Sequence, residues 1–323
     1  MLYPLLFHPL LKPILWGGDA ICKFKEISPL QQGIGESWEI SHVKNNVSVV
    51  DNGALKNKTL DDLIREYGEQ LLGKKVVARF GSTFPLLIKF IDARDDLSIQ
   101  VHPNDELANK RHNSFGKTEM WYLINAKPGA FLYSGFAQQL TPGQYIDSVA
   151  NNTFTGLLDK HEVKPGDVFF LPAGRVHAIG AGCFLAEIQQ TSDITYRIYD
   201  FNRKDAGGNP RELHTELAKD AIDYTVYPDH KLHYTPEKGK EVPLVSCDYF
   251  TTKLIETDRP MHIELCQRDS FSIFICMEGK WRLTDANGYS LELHQGQTVL
   301  VPADCSSIAI NPYENCKLLE TFL

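Results

Sequence analysis

The chain has 323 residues, long for a single ordinary core, so one large or two medium domains are expected. Its 43% apolar and 23% charged residues are those of a soluble globular protein. Lys and Arg total 33 against 41 Asp and Glu, a net charge of −8 without any basic tract. That balance argues against nucleic acid as a partner and leaves room for a small anion held by a few local cations.

The opening stretch MLYPLLFHPLLKPILWGG is apolar but broken by Pro4, Pro9 and Pro13. It has no basic segment ahead of an apolar run and no small-residue cleavage site, so no signal peptide is expected. No run of 18 apolar residues exists to span a membrane. Thr59 followed by LDDLIREYGEQLLG predicts a helix, with Thr59 as N-cap, Asp61 and Asp62 in the first turn and Gly73 as the stop. Strand-like runs follow: VVARF, PLLIKFID, LSIQVH, EMWYLIN and AFLYSGF. A second helix is expected within 141–160, where Thr141-Pro142 resembles a helix start. The runs DVFFLP, CFLAEIQQ and ITYRIYDF then lead to a third helical pattern, RELHTELAKDAIDY from Arg211. The C-terminal part carries YFTTKLIE, FSIFICMEG, YSLELH, TVLVP and SSIAI. Short strands punctuated by Gly, Pro and Asn-Gly predict a mainly β fold of the sandwich or barrel kind. The polar, Pro-containing stretch from Pro228 to Pro243 is the expected boundary, giving domains 1–227 and 228–323. Seven cysteines, an odd number with no CxxC pair, read as free thiols in a reducing cytoplasm.

One internal repeat organises these runs. Residues 166–179, GDVFFLPAGRVHAI, align with 296–309, GQTVLVPADCSSIA, from the leading Gly through Pro172 and Pro302. Each copy follows an aromatic strand ending in a Gly turn. The first copy is longer between turn and repeat, matching a helical insertion near 141–160. Two related β-barrels with inserted helices are therefore expected.

In LSIQVHPND, Ser98, Gln100 and His102 fall on one face, since alternate strand residues point the same way. Gly166, Pro172, Gly174 and His177 fit the second motif of cupin barrels, whose turn aims the His inward. The first cupin motif is HxH followed by Glu; here Gln100-Val101-His102 and Glu119 take those places. Gln100, His102, Glu119 and His177 thus read as four ligands from three strands around one divalent metal. A lone strand His is usually a satisfied surface or core residue, which suffices for His112, His161 and His294. The second repeat has Ser307 where the first has His177, so that barrel is expected to be metal-free. One amide, two imidazoles and one carboxylate favour zinc over redox iron, one ion per chain.

QVHPND, GKTEMWY, PAGRVHAIGAG and EIQQTSDITYRIYDFNR, with WGG at 16–18 and GESWEIS at 35–41, resemble the type I phosphomannose isomerases in their short bacterial form. The resemblance covers essentially the whole chain. It implies two cupin-type jelly-roll β-barrels and one zinc held by the same four residues. It places the family's active-site arginine on Arg197, a lysine on Lys117, a glutamate on Glu187 and a further basic residue on Arg203. The implied reaction is the interconversion of mannose 6-phosphate and fructose 6-phosphate through an enediol-like intermediate.

That chemistry needs an acid/base pair, stabilisation of charge at the sugar oxygens and a grip on phosphate. Arg197 and Lys117 are the first cations to consider, and Arg203 faces the same way as Arg197 if their strand is unbroken. Bland alternatives for Arg203 and Lys117 are surface salt bridges. Glu187 is either the base or an ion-pair partner of Arg197, and Asp193 is a further carboxylate. Ser98 is a candidate substrate contact or a backbone-bonded strand serine. Trp16 and Trp38 form a cleft wall or pack as core. The expected partner is a small sugar phosphate, with no nucleic acid or membrane, and the chain is expected to be a monomer or weak homodimer. The competing readings are an iron-dependent cupin oxygenase, opposed by Gln100, and a sugar-binding regulator, for which no partner-binding module is visible.

Overall fold

A computed structural model describes residues 2–204 and 207–323. The chain is mainly β, built from two pairs of facing antiparallel sheets. In the first pair, a seven-stranded sheet runs in the order Lys231–Leu232, Val168–Leu171, Glu119–Ala126, Cys183–Gln190, Leu86–Asp92, Ile34–Ile40 and Leu10–Gly18. The five-stranded sheet opposite it runs Leu158–Glu162, Phe131–Phe136, His177–Ile179, Ile99–Val101 and Tyr196–Tyr199. The second pair sets a six-stranded sheet centred on Ser272–Glu278 and Cys316–Phe322 against a four-stranded one.

Alternation along the strands assigns every core. Trp121, Leu123, Phe169, Leu171 and Leu185 face inward between the first two sheets, with Ile179 and Leu132 opposite. Their neighbours Met120, Tyr122, Phe184, Ala186 and Ile188 point the other way and meet Ile273, Ile275, Leu254 and Leu319 of the six-stranded sheet. The two sheet pairs therefore join through the backs of their large sheets. Phe274, Trp281, Leu283, Val299 and Ile308 fill the second pair. A fourth core lies behind the five-stranded sheet, where helices Pro142–Ala150 and Thr215–Ala221 bury Tyr145 and Ala218 against Val101, Ala178 and Ile198.

The repeat is structural. Strands Val168–Leu171 and Thr298–Val301 occupy matching positions after Gly166 and Gly296, whose positive φ of 87° and 82° suits only glycine at that turn. The connection between Phe131–Phe136 and Leu158–Glu162 carries the inserted helix, whereas Lys280–Asp285 and Ser290–His294 are joined by residues 286–289 alone. Thr141 closes a capping box with Gln144, and Thr59 does so with Asp62, as their sequences predict.

Five expectations change. VVARF is helical, within Lys74–Phe80, because Gly73 and Gly81 bracket a helix that tucks one face, Val76, into the shared core. Helices Ala20–Phe24 and Asp105–His112 were not expected; Asn104 caps the latter by accepting from Leu107 N. The helix expected from Thr59 to Gly73 stops at Tyr67, where Gly68 at φ of 46° separates it from Glu69–Leu72, and the helix expected from Arg211 begins at Thr215. The strand carrying Arg197 ends at Tyr199, and Phe201 and Asn202 each adopt φ of 54°, so the alternation that would align Arg203 is broken. All seven cysteines are free; Cys22, Cys183, Cys276, Cys305 and Cys316 are buried, while Cys266 is exposed.

Two segments cross between the sheet pairs. Leu5 and Leu6 pair with Leu300 and Val299 on the edge of the six-stranded sheet. Lys231 and Leu232 extend the seven-stranded sheet along Val168 and Phe169.

Candidate metal centre and adjoining cleft

Two rows of side chains face each other between the first two sheets. On the five-stranded sheet, His177 pairs with Gln100 and Gln100 with Arg197. On the seven-stranded sheet the row runs Trp38, Lys89, Glu187, Trp121 and Phe169. Glu119 lies one inward position along the strand of Trp121, and His102 follows Gln100 on its face.

The four expected ligands converge. Glu119 Oε1 is 3.2 Å from His177 Nε2, and its Oε2 is 3.6 Å from His102 Nε2. The Gln100 amide nitrogen ends 3.2 Å from His177 Nε2, and turning the amide over presents its oxygen there instead. Each imidazole commits its Nδ1 to a backbone carbonyl: His102 to Ile194 O at 2.8 Å, His177 to Arg175 O at 2.9 Å. Those bonds fix the tautomer that leaves Nε2 as a lone-pair donor. Burial, reinforced by the Lys117 ammonium, holds His102 well below its usual range and lowers His177 to about 3, so both rings are neutral. Both carboxylate oxygens of Glu119 are buried; Oε1 has no hydrogen-bond donor, and Oε2 has the Lys117 ammonium at 3.1 Å. A buried carboxylate with a free oxygen facing two neutral imidazoles and an amide is a donor set that fits a divalent cation.

Lys117 stands at the rim, its Nζ 3.1 Å from both His102 Nε2 and Glu119 Oε2. Burial would raise the Glu187 carboxyl, but the Lys89 ammonium at 3.0 Å outweighs it and holds the group low. Trp121 Nε1 also donates to Glu187 at 2.9 Å. Lys89, whose buried position would lower it, is instead raised by Glu187 and Glu36. The partner of Glu187 is therefore Lys89 and not Arg197. Lys89 escaped the sequence reading because PLLIKFID is buried on both faces and gives a lone lysine no periodic context.

A cleft of about 350 Å³ opens beside the ligands, and Trp16, Ser98, Lys117, Glu187, Asp193 and Arg197 all line it. Trp38 and Arg211 line it as well. Arg203 is displaced into a neighbouring hollow of about 260 Å³, which shares Trp16 and Arg211 with the cleft. Arg197 donates from Nη1 to Glu212 O at 3.0 Å, while its Nε is buried without a partner. Burial and the Arg211 charge lower its basicity.

A second group among the described residues, Asp159, His161 and His230, also brings ligand-type atoms together. There Arg175 donates to His230 Nδ1, so His230 Nε2 retains its proton and has no lone pair for a metal.

The chain is 36% identical to mannose-6-phosphate isomerase ManA of Bacillus subtilis over 97% of each chain. The chain belongs to the type I phosphomannose isomerase family. Residues 6–129 match the phosphomannose isomerase type I catalytic domain, and residues 240–320 match the mannose-6-phosphate isomerase cupin domain. A Streptococcus mutans mannose-6-phosphate isomerase is 40% identical over 69% of this chain and 68% of its own length. The crystal structure of the mannose 6-phosphate isomerase from Bacillus subtilis superposes with a TM-score of 0.89 at 31% identity, covering 99% of both chains. As a phosphomannose isomerase of this type, the chain has a cupin domain in its C-terminal part and the buried His102–Glu119–His177 group in its N-terminal part.

Proposed function

We propose that this protein is a zinc-dependent aldose–ketose isomerase that interconverts mannose 6-phosphate and fructose 6-phosphate by proton transfer through an enediol. The observation that carries the reading is the buried Glu119 carboxylate facing two neutral, backbone-oriented imidazoles at the head of a cleft lined by cations. Gln100, His102, Glu119 and His177 would hold the zinc, which, when bound, supplies a Lewis acid that stabilises negative charge on the sugar oxygens. Glu187, kept anionic by Lys89 and oriented by Trp121, is the carboxylate presented to C1 and C2. Lys117 is close enough to the ligand group to donate to a sugar oxygen, and Arg197 offers an unpaired guanidinium edge. Ser98 contributes a hydroxyl to the same wall, and Trp16 closes the cleft with an apolar face. Each sheet pair is read as a jelly-roll barrel of cupin type, the catalytic unit over 1–227 and the metal-free unit over 228–323. The seven free cysteines support a reducing, cytoplasmic setting.

A coupled assay of mannose 6-phosphate conversion, with and without chelator, tests the reading. Turnover is expected with stoichiometric zinc and is expected to vanish on chelation. Turnover that persists after complete metal removal would sink the metal role, and none in the zinc-loaded protein would sink the isomerase. In Arg197→Ala, turnover should fall by orders of magnitude while bound zinc stays near one per chain.

A further inference from the structure

Arg211 belongs to no motif in the sequence. It lies in the link between strand Tyr196–Tyr199 and helix Thr215–Ala221. That link is fastened to the edge of the five-stranded sheet: His214 N donates to Arg197 O at 2.7 Å, and Arg197 N donates to His214 Nδ1 at 3.1 Å. The fastening brings Arg211 to the cleft beside Arg197. Asp200, 4% exposed, then grips Arg211 side-on, accepting from Nε at 2.7 Å and from Nη2 at 2.5 Å. The same carboxylate also accepts from Arg203.

The charges at this end do not balance. Lys89 is matched by Glu187 and Lys117 by Glu119, each within ion-pair distance. Arg203 and Arg211 share one buried carboxylate, Asp200, so among the described residues the guanidiniums of Arg197, Arg203 and Arg211 have one ion-paired carboxylate between them, and Asp193 and Glu36 line the cleft without pairing to any of the three. Among the described residues Arg197 has no carboxylate within ion-pair distance, and its Nε is orphaned. Two guanidiniums held together in a partly buried wall repel each other unless a dianion joins them. A sugar phosphate carries about two negative charges at neutral pH.

We propose that Arg211 grips the substrate phosphate together with Arg197, and that Asp200 is the positioning residue that holds Arg211 in place. The inference rests on the sugar-phosphate reading of the cleft. It orients the substrate along the row from His177 through Gln100 to Arg197, with the reacting carbons at the ligand end and the phosphate at the arginine end. Arg203, tied to the same carboxylate, serves the neighbouring hollow.

Steady-state kinetics of Arg211→Ala test this, with inorganic phosphate as a competing ligand. KM for mannose 6-phosphate should rise about tenfold to a hundredfold, the loss expected for one hydrogen bond to a charged group. Inhibition by inorganic phosphate should weaken in parallel, kcat should change much less, and zinc content should not change. Arg211→Lys, which keeps the charge but loses the side-on clamp, should fall between. Asp200→Asn should raise KM several-fold with little change in kcat, and Asp200→Glu should recover part of that loss. If Arg211→Ala fails to fold, Arg211→Gln carries the same expectation. Unaltered KM and unaltered phosphate inhibition in an Arg211 variant would overturn the assignment. A wild-type protein without turnover would instead overturn the isomerase reading, and calorimetric titration with inorganic phosphate would still report whether Arg211 binds the anion.

Discussion

The two sheet pairs carry the same charged row in different company. In the first, Lys89, Glu187, Trp121 and Phe169 lie side by side across four strands. In the second, the matching register holds Lys253, Glu320, Phe274 and Val299. Each row therefore has a lysine beside an inward glutamate. The neighbours separate them. One inward step along, Glu119 is replaced by Ser272. On the facing sheet, the inward pair is His177 and Gln100 in one half, Ile308 and Ile263 in the other. Arg268 covers Glu320 and also donates to Ser272 Oγ at 2.9 Å. A buried carboxylate must find a cation. Glu320 finds a guanidinium, whereas Glu119 meets the Lys117 ammonium at one oxygen and also faces two imidazoles. A charged row on one sheet is thus not a site; ligands on the opposite sheet make it one.

The largest expected effect breaks the asymmetry. His177→Ala should abolish stoichiometric zinc, measured by metal analysis, and with it turnover. Ile308→Ala, its counterpart in the fold, should cost about 2–5 kcal/mol of stability through the cavity it leaves, with zinc and kcat retained. Zinc retained at stoichiometry in His177→Ala would contradict the ligand set.

A second pair of substitutions sharpens the comparison of the glutamates. Glu187→Gln should lower kcat by about a hundredfold or more if the carboxylate moves the proton. Glu320→Gln should leave kcat unchanged and alter only stability. Burial, opposed by Arg268, lifts Glu320 to about 7. Its folded value thus lies above the ordinary glutamate value of 4.5, so the stability linked to its proton is present at low pH and lost as pH rises from about 4.5 to 7. Urea unfolding at pH 5 and pH 7.5 should show wild type losing stability relative to Glu320→Gln at the higher pH. An equal difference at both pH values would contradict the protonation.

The smallest effect concerns the insertion that only the first half carries. Thr141→Ala removes the cap of helix Pro142–Ala150 and should cost about 1 kcal/mol, read as a lowered Tm with unchanged KM.

The ligands were legible in the sequence because they obey strand alternation and a fixed turn. Gly166, Pro172 and Gly174 set where His177 points, and QxH fixes its own face. Repeat spacing puts Ser307 at the position of His177, but alternation along the strand turns Ile308 inward instead. Ile308 and Ile310 are the buried residues of Ser307–Pro312, so the inward phase is shifted by one. A repeat in sequence fixes the strand but not which of its faces turns inward. Lys89, Asp200 and Arg211 were not legible as a group. Lys89 and its partner Glu187 come from strands far apart in the chain, and Arg211 owes its position to a loop fastened by His214. Arg203 was misplaced because two left-handed residues end the alternation ahead of it.

The pairing of Leu5 and Leu6 with Leu300 and Val299 has a bearing on how the chain comes together. Leu5 and Leu300 stand 295 positions apart in the chain. Closing that contact spans almost the whole sequence, so its entropic cost is met only after most strands have formed. The first sheet pair, whose four metal ligands all lie within Gln100 to His177, has no need of that contact to bring them together. Strand Leu5–Leu6 is then a latch that closes once the second sheet pair is in place.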